Sequence, residues 1–150
     1  MIQNCTTPEH LPPARGTYAL LLYVPRATRL QIGKLGAFDF PRGYYVYVGS
    51  ARGAGGLRAR VMRHWRGGAR WHWHIDYLRA VARPVRVRYS TDAQADECAW
   101  AAMLQAKNAR VIAPRFGASD CDCATHLYFL KRASQTRAQQ RLAATIGALK

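Results

Sequence analysis

Glu97 is the side chain in this sequence that is best suited to holding a divalent metal ion. On an ideal helix it would lie in the same narrow stripe as Ala93, Trp100 and Leu104, in line with residues expected to face the core. An ionised carboxylate there is costly unless a cation or a metal ion pairs with it. A carboxylate-bound metal, acting with an arginine, can neutralise the phosphoryl oxygens of a phosphodiester during hydrolysis. A salt bridge to one of the many arginines would explain the same pattern equally well.

Arg60 and His64 are the candidate side chains for binding a phosphate group. They are spaced i and i+4 on a helix that the apolar periodicity predicts over residues 57–66, directly after the glycine-rich segment 51–56. A glycine-rich turn that leads into a helix start presents backbone N–H groups to an anion. A solvated basic helix face would show the same spacing, so the pattern alone leaves both interpretations open.

Two cysteines and a histidine near the C-terminal end form a corner of the kind that binds zinc. Cys121, Cys123 and His126 are close in sequence, and Cys98 could complete a set of four. The single residue between the first two cysteines is a tighter spacing than the usual Cys-x2-Cys of zinc sites. We therefore do not expect a structural zinc, and in the cytoplasm we do not expect disulfides.

The charge of the chain points to a polyanionic partner. Twenty-three Lys and Arg residues stand against eight Asp and Glu, a formal net charge of +15, and the basic residues run through the whole chain. Such a surface attracts nucleic acid, so we expect DNA, with RNA as a further candidate. Nonspecific binding of RNA or acidic partners would need no more than this charge. Five arginines around the predicted helix are the expected DNA contacts: Arg52, Arg58, Arg63, Arg66 and Arg70.

Length and composition predict one domain. A chain of 150 residues with 49% hydrophobic residues can bury a core of its own. Residues 1–15 are polar and proline-containing, so we expect a polar leader there and a single domain over 16–150. The start lacks the pattern of a signal peptide, and no apolar stretch is long enough to span a membrane. We expect a cytoplasmic protein, a monomer or homodimer, with no membrane association.

The elements that must position these side chains can be predicted from periodicity and turn signals. Strands are predicted at Thr17–Val24, Arg29–Gly33, Ala37–Phe40, Tyr44–Gly49, Val85–Tyr89 and His126–Leu130. Helices are predicted at Leu57–Arg66, His74–Ala82, Thr91–Ala106 and Ser134–Leu149. The third helix would open with a capping box over Thr91–Gln94.

Two short motifs, taken in order, suggest a family. Gly16-Thr17-Tyr18 on the first predicted strand resembles a GIY element, and Tyr47-Val48-Gly49 on a neighbouring strand resembles a YIG element. Ser50 follows, and then the helix that carries residues 60–64. This ordered set resembles the GIY-YIG nuclease superfamily, although each tripeptide alone is unspecific.

Longer segments resemble one branch of that superfamily more narrowly. GYYVYVGSA at 43–51, HWHIDYL at 72–78, Glu97-Cys98 and FGASDCDCATHL at 116–127 are similar to its Uri-type endonuclease branch. The similarity spans roughly residues 16–129. The spacing between the two tyrosine motifs is longer than in the compact family core, which indicates an inserted hairpin.

The resemblance implies a fold and a set of roles. The fold is α/β of the α+β type, with a small central antiparallel sheet of about three strands flanked by helices. Tyr18 and Tyr47 would approach the attacking water, Arg60 would clamp the scissile phosphate, and His64 would assist proton transfer or position the substrate. Glu97 would bind one Mg²⁺ or Mn²⁺. Because the reference pKa of tyrosine is roughly 10, a tyrosine acts as a base only if cations favour phenolate; otherwise it orients the water.

Other residues of the matching segments are candidate accessory groups, without roles that the sequence defines. They are Gly49, Ser50, His72, His74, Asp120 and His126. Trp71 and Trp73 could stack on bases or frame the site, but core packing explains them as well. The sequence thus favours a metal-dependent DNA endonuclease, structure- or damage-directed, in repair or DNA processing. The alternatives are a catalytically inactive nucleic-acid-binding module on the same fold and a zinc-stabilised interaction domain.

Overall fold

Two long strands form the centre of the protein, of which the computed structural model describes residues 2–5 and 7–146. Strand β2 (Gly16–Val24) and strand β5 (Gly43–Ala51) pair antiparallel along all nine residues of each. Their apolar runs are nearly continuous because the central strands are covered on both faces. Both strands were predicted from the sequence.

Three further strands complete the main sheet, which has the order β1-β6-β2-β5-β7 and is antiparallel at every pairing. The added strands are β1 (Gln3–Cys5), β6 (Arg83–Ser90) and β7 (Leu127–Leu130). The α+β class is thus confirmed, with a sheet of five strands instead of about three. The difference arises because β1 and β7 extend the sheet at its two edges.

The inserted hairpin is present as a separate two-stranded sheet. Strands β3 (Thr28–Ile32) and β4 (Gly36–Phe40) pair antiparallel around a 3-10 turn at Gly33–Leu35. Ile32 and Phe40 are buried in the core that also contains the inner face of the main sheet. The hairpin is therefore packed onto the domain and does not separate β2 from β5.

The segment expected to be a polar leader contributes to the domain. Gln3–Cys5 pairs with β6, and Leu11, which follows a 3-10 turn at Pro8–His10, is fully buried. The sequence did not predict that this segment belongs to the sheet, because strand β1 has three residues and only Cys5 is buried.

Two helices cover each face of the main sheet. Helices α1 (Gly56–Arg66) and α2 (His74–Leu78) pack on one face, and α3 (Glu97–Ala106) and α4 (Gln135–Ile146) pack on the other. Alternate residues of β2 and β5 feed these two cores, since side chains along a strand point to opposite faces. None of the described helices is both long and apolar enough to cross a membrane.

The third helix begins later than the sequence predicted. Residues 91–96 form turns in which Asp92 accepts a hydrogen bond from the N–H of Gln94 at 2.9 Å. Asp96 is the N-cap and accepts from the N–H of Cys98 at 3.1 Å. The predicted capping box at Thr91–Gln94 is therefore wrong, and Glu97 stands at the first helical position instead of two turns inside. Helix α2 also stops at Leu78, short of the predicted Ala82.

Candidate functional site

Two tyrosines and a histidine form a buried cluster on the α1 face of the sheet. The hydroxyl oxygen of Tyr18 lies 2.8 Å from Nε2 of His64. The ring of Tyr47 lies 6.4 Å from that of Tyr18 and 5.9 Å from that of His64, between centroids. In the strand register Tyr18 faces Gly49, so Tyr47 is its diagonal neighbour on the same face. Three residues far apart in sequence are thus brought into one group.

Gly49 leaves the space that the Tyr18 side chain occupies. A Cβ atom at this position would stand 2.5 Å from the Tyr18 hydroxyl oxygen and 2.6 Å from its Cζ. Both atoms are closer than packed carbon and oxygen atoms can approach. The glycine is therefore needed for the ring position.

Replacing Gly49 with alanine is expected to displace the Tyr18 ring and to lower the free energy of unfolding by about 1–3 kcal/mol. Urea unfolding followed by circular dichroism measures this change. Gly68→Ala is the matched control, since a Cβ at Gly68 meets no atom within 4 Å. Equal stability of the two variants would contradict the close packing of Tyr18 against β5.

Burial keeps all three members of the cluster uncharged. It raises the pKa of Tyr18 and of Tyr47, and the negative charge of Glu97 raises both further while Arg60 opposes it. Burial also lowers the pKa of His64 to about 3, with nearby arginines adding to the effect and Asp76 opposing it. At neutral pH the cluster is a hydrogen-bonded pair of neutral groups beside a neutral phenol.

Two arginines of α1 stack on the indole of Trp73 beside this cluster. The guanidinium carbons of Arg60 and Arg63 lie 4.4 and 4.1 Å from the ring centroid. Arg63 also pairs with Asp76 at 3.4 Å, and Asp76 accepts the N–H groups of His72 and Trp73 at 2.8 and 2.9 Å. The carboxylate therefore partly neutralises Arg63, whereas Arg60 keeps its orientation by stacking.

The backbone at the start of α1 is already hydrogen-bonded, which corrects a sequence expectation. The N–H groups of Leu57 and Arg58 donate to the carbonyls of Ala14 and Pro12, at 2.8 and 3.2 Å. The next N–H, of Ala59, donates within the turn to Gly55. Because these donors are occupied, this helix start does not offer a phosphate the cradle that the glycine-rich segment suggested. Phosphate binding here depends on side chains.

Two separate cavities are each lined in part by Trp73. One, of about 220 Å³, lies between the Gly53–Gly56 turn and the two arginines Arg60 and Arg63. The other, of about 120 Å³, is lined by Tyr47 and Asp120 among others. The two arginines and the Tyr47 ring therefore each border a cavity that Trp73 also lines.

Glu97 lies at the start of α3, the helix that packs on the opposite face of the sheet from the tyrosine cluster. The residue is half-buried, and its negative charge helps to raise the pKa of both tyrosines. Glu97 is the first residue of α3. The turn before it is held against β2 by a hydrogen bond of 2.9 Å, which the Thr17 hydroxyl donates to the carbonyl of Ala95.

The remaining predicted accessory residues surround the same region with different contacts. His74 accepts the N–H of Gly117 at 2.8 Å through Nδ1, so it holds the loop that closes the smaller cavity. His72 is exposed, with its ring edge against Trp73. Asp120 is exposed in the lining of that cavity, and Ser50 is half-buried opposite Thr17.

The five arginines expected to contact DNA are all exposed: Arg52, Arg58, Arg63, Arg66 and Arg70. Two of them have other contacts, since Arg58 donates to the carbonyl of Leu11 at 2.7 Å and Arg63 pairs with Asp76. The sequence did not single out Asp76 or Arg79 for a role near the site. Arg79 donates to the carbonyls of His64 and Trp65 at 2.7 and 2.6 Å, and nothing in the sequence distinguishes it from the other arginines.

A second cluster, separate from the tyrosines, could hold a metal ion. The ligand atoms of Cys98, Cys121, Cys123 and His126 all lie within 4.8 Å of one another. His126, expected to be an accessory active-site group, belongs to this cluster. The pKa of the Cys98 thiol is raised, mainly by a hydrogen bond to Cys123 and to a smaller extent by partial burial. The four residues considered in the sequence analysis thus lie close enough together to bind a metal ion, although the spacing of Cys121 and Cys123 is tight.

These features define an α+β domain in which a tyrosine of a central strand pairs with a buried histidine of α1, next to two arginines stacked on Trp73, and which also has a three-cysteine, one-histidine cluster. The chain belongs to the family described as domain of unknown function DUF123, which it matches over residues 17–148. Neither the curated proteins nor the solved structures compared with this chain gave a match.

Proposed function

We propose that this protein is a metal-dependent endonuclease that hydrolyses phosphodiester bonds in DNA. The observation that carries the proposal is the buried cluster of Tyr18, Tyr47 and His64, beside which Arg60 stacks on Trp73. The charge of Glu97 helps to raise the pKa of both tyrosines. The order of these residues resembles that of the GIY-YIG nucleases, and the net charge of +15 suits a polyanionic substrate.

The residues present fit one Mg²⁺ or Mn²⁺ at Glu97. Mg²⁺ commonly binds through one or two carboxylates and fills its other positions with water and substrate phosphate. Glu97 offers one half-buried carboxylate, and outside the cysteine cluster the described residues contain no group of three or more metal-ligating side chains. When bound, such an ion would supply neutralising charge to the phosphoryl oxygens.

The roles that we propose for the other residues of the site follow from how exposed each side chain is. Tyr47 lines a cavity and is placed to orient a water, whereas Tyr18 and His64 are each 1% exposed and act by fixing the group around it. With a pKa of about 3, His64 is a poor store for a proton, so of the two roles considered for it we propose positioning, through Tyr18. Arg60, which is only half-buried, would contact the scissile phosphate.

A catalytically inactive DNA-binding module is the second candidate. It is favoured by the burial of Tyr18 and by the raised pKa values of both tyrosines, which disfavour phenolate. An inactive module would keep the exposed arginines and would bind DNA without cleaving it.

A cleavage assay separates the two. Purified protein with Mg²⁺ or Mn²⁺ is incubated with supercoiled, nicked and branched DNA, and products are resolved on denaturing gels. We expect nicks that disappear when EDTA removes the ion, and preference among the substrates would show whether DNA structure directs cleavage. Intact DNA under conditions where a gel shift shows binding would favour the inactive module.

DNA affinity is expected to fall steeply with salt under either candidate. Each phosphate contact contributes about −0.9 to the slope of log affinity against log salt on duplex DNA. Arg70→Ala should reduce the magnitude of that slope by roughly one unit if Arg70 contacts a phosphate. Arg29→Ala on the hairpin is the control, since Arg29 already pairs with Asp39 at 2.9 Å. Fluorescence anisotropy at several salt concentrations measures this, and a slope near zero for the unaltered protein would exclude phosphate contacts.

A further inference from the structure

The cysteine cluster draws its ligands from two parts of the chain. Cys98 is the second residue of α3, while Cys121, Cys123 and His126 belong to the loop that leads into β7. The Cys121 sulfur lies 3.4 Å and the Cys98 sulfur 4.0 Å from Nε2 of His126. For a tetrahedral zinc ion, sulfur and nitrogen ligands stand about 3.6 Å apart and two sulfurs about 3.8 Å apart. The two sulfur–nitrogen distances lie on either side of the first value, and all four ligand atoms lie within 4.8 Å of one another.

We propose that Cys98, Cys121, Cys123 and His126 bind one structural Zn²⁺ that fixes the start of α3 against the sheet. The ligand set selects the metal, since thiolates and imidazole are preferred by zinc, whereas Mg²⁺ prefers oxygen. Four protein ligands close the coordination sphere, which is the form of structural and not of catalytic zinc sites.

The ligands are held near their positions by backbone hydrogen bonds independent of any metal. The N–H of His126 donates to the carbonyl of Phe116 at 2.7 Å, and its carbonyl accepts from the N–H of Val48 at 2.9 Å. Cys98 is fixed at the helix start by the side chain of Asp96. A metal would therefore join two anchored segments and would not have to assemble a loose loop.

Three thiolates and one Zn²⁺ carry a net charge of −1, for which a cation is available. Arg115 donates to the carbonyl of Cys123 at 2.8 Å, which places a guanidinium beside the cluster. Hydrogen bonds and charges in the surroundings of a zinc site orient its ligands and stabilise the bound form.

The location gives the zinc centre a consequence for the site. Cys98 directly follows Glu97, and His126 is bonded to Val48, the neighbour of Tyr47. Gly117 packs closely against both Tyr47 and His126. A Cβ added there would stand 2.9 Å from the Tyr47 ring and 3.2 Å from the His126 Cβ. The ion would thus set the distance between the carboxylate and the phenol, a role that rests on the proposed endonuclease function.

Metal analysis of the full-length protein tests the site without reference to activity. We expect about one zinc per chain by mass spectrometry after gel filtration, and retention of zinc in Cys5→Ser, whose cysteine lies on β1 outside the cluster. Cobalt substitution should give the intense visible bands of tetrahedral thiolate coordination. Zinc well below one equivalent after refolding with added Zn²⁺, together with no such bands, would overturn the proposal, as would full zinc retention in Cys98→Ser.

The structural role of the zinc ion is tested by thermal stability. Stripping zinc with a strong chelator should lower Tm on the order of 10 °C, and added Zn²⁺ should restore it. Cys98→His, which keeps a zinc-binding side chain, should retain more zinc and a higher Tm than Cys98→Ser. An unchanged Tm after complete zinc removal would overturn the structural role. Full zinc content in a protein that never cleaves DNA would support the centre and count against only the proposed function.

Discussion

Replacing Glu97 with glutamine is expected to reduce DNA nicking on the order of 10³-fold while DNA binding stays at least as tight. Glutamine keeps the size of the side chain but removes the charge that would hold a divalent ion, and loss of metal-based charge stabilisation is worth several kcal/mol in the transition state. Binding should not weaken, because the change removes a negative charge from a basic surface. Conversion of supercoiled plasmid with Mn²⁺, measured over time, gives the rate, and anisotropy gives the affinity.

Asp92→Asn is the matched control for that experiment. Asp92 is an exposed carboxylate in the turn before α3, and asparagine can still accept the hydrogen bond from Gln94. Its nicking rate should stay within about twofold of the unaltered protein, an effect typical of a surface position. Nicking by Glu97→Gln at a similar rate would remove Glu97 from the mechanism. Zinc content should be unchanged in both variants.

Replacing Arg60 with alanine is expected to lower the nicking rate about 10²–10³-fold, the usual cost of removing one group that stabilises transition-state charge. The guanidinium lies over Trp73 and lines the larger of the two cavities that Trp73 borders, next to the cluster that contains Tyr47. Arg60→Lys should recover little of the rate, because lysine keeps the charge but lacks the planar, bidentate donor group. Single-turnover cleavage separates the rate from the affinity.

Arg66→Ala tests whether Arg60 is special or only one of many charges. Arg66 lies on the same helix, is exposed and carries the same charge. We expect its removal to weaken DNA binding slightly and to leave the single-turnover rate unchanged. Similar, small effects of both substitutions would mean that α1 presents a basic face without a clamp, which is the alternative that the sequence left open.

The strands and the first helix could be predicted because their signals are local. Apolar runs at Thr17–Val24 and Tyr44–Gly49 reappear within β2 and β5, and the helix predicted over Leu57–Arg66 is α1 with one more residue. The hairpin inserted between the two tyrosine motifs was also predicted, because its two strands and turn lie together in the sequence. Strand β1 was not predicted, since three residues, of which only Cys5 is buried, give no periodicity.

The start of α3 shows where local signals compete. Thr91, Asp92 and Asp96 are all residue types that cap helices, and the sequence does not say which of them does. In the folded chain Asp92 closes a turn and Asp96 caps the helix, so Glu97 falls at the first position. The position of Glu97 on the helix therefore depends on which of these three similar residues is the N-cap.

The sequence by itself determined the α+β class, the basic surface and the identity of the candidate side chains, because composition and short-range periodicity encode them. Only the tertiary structure decided three further properties. The N–H groups of Leu57 and Arg58 donate hydrogen bonds to carbonyls of the N-terminal segment. Burial of His64 lowers its pKa. Cys98 lies close to Cys121 and Cys123, although they are distant in sequence. Each depends on contacts between segments far apart in the chain, whose energies appear only when the whole core is assembled.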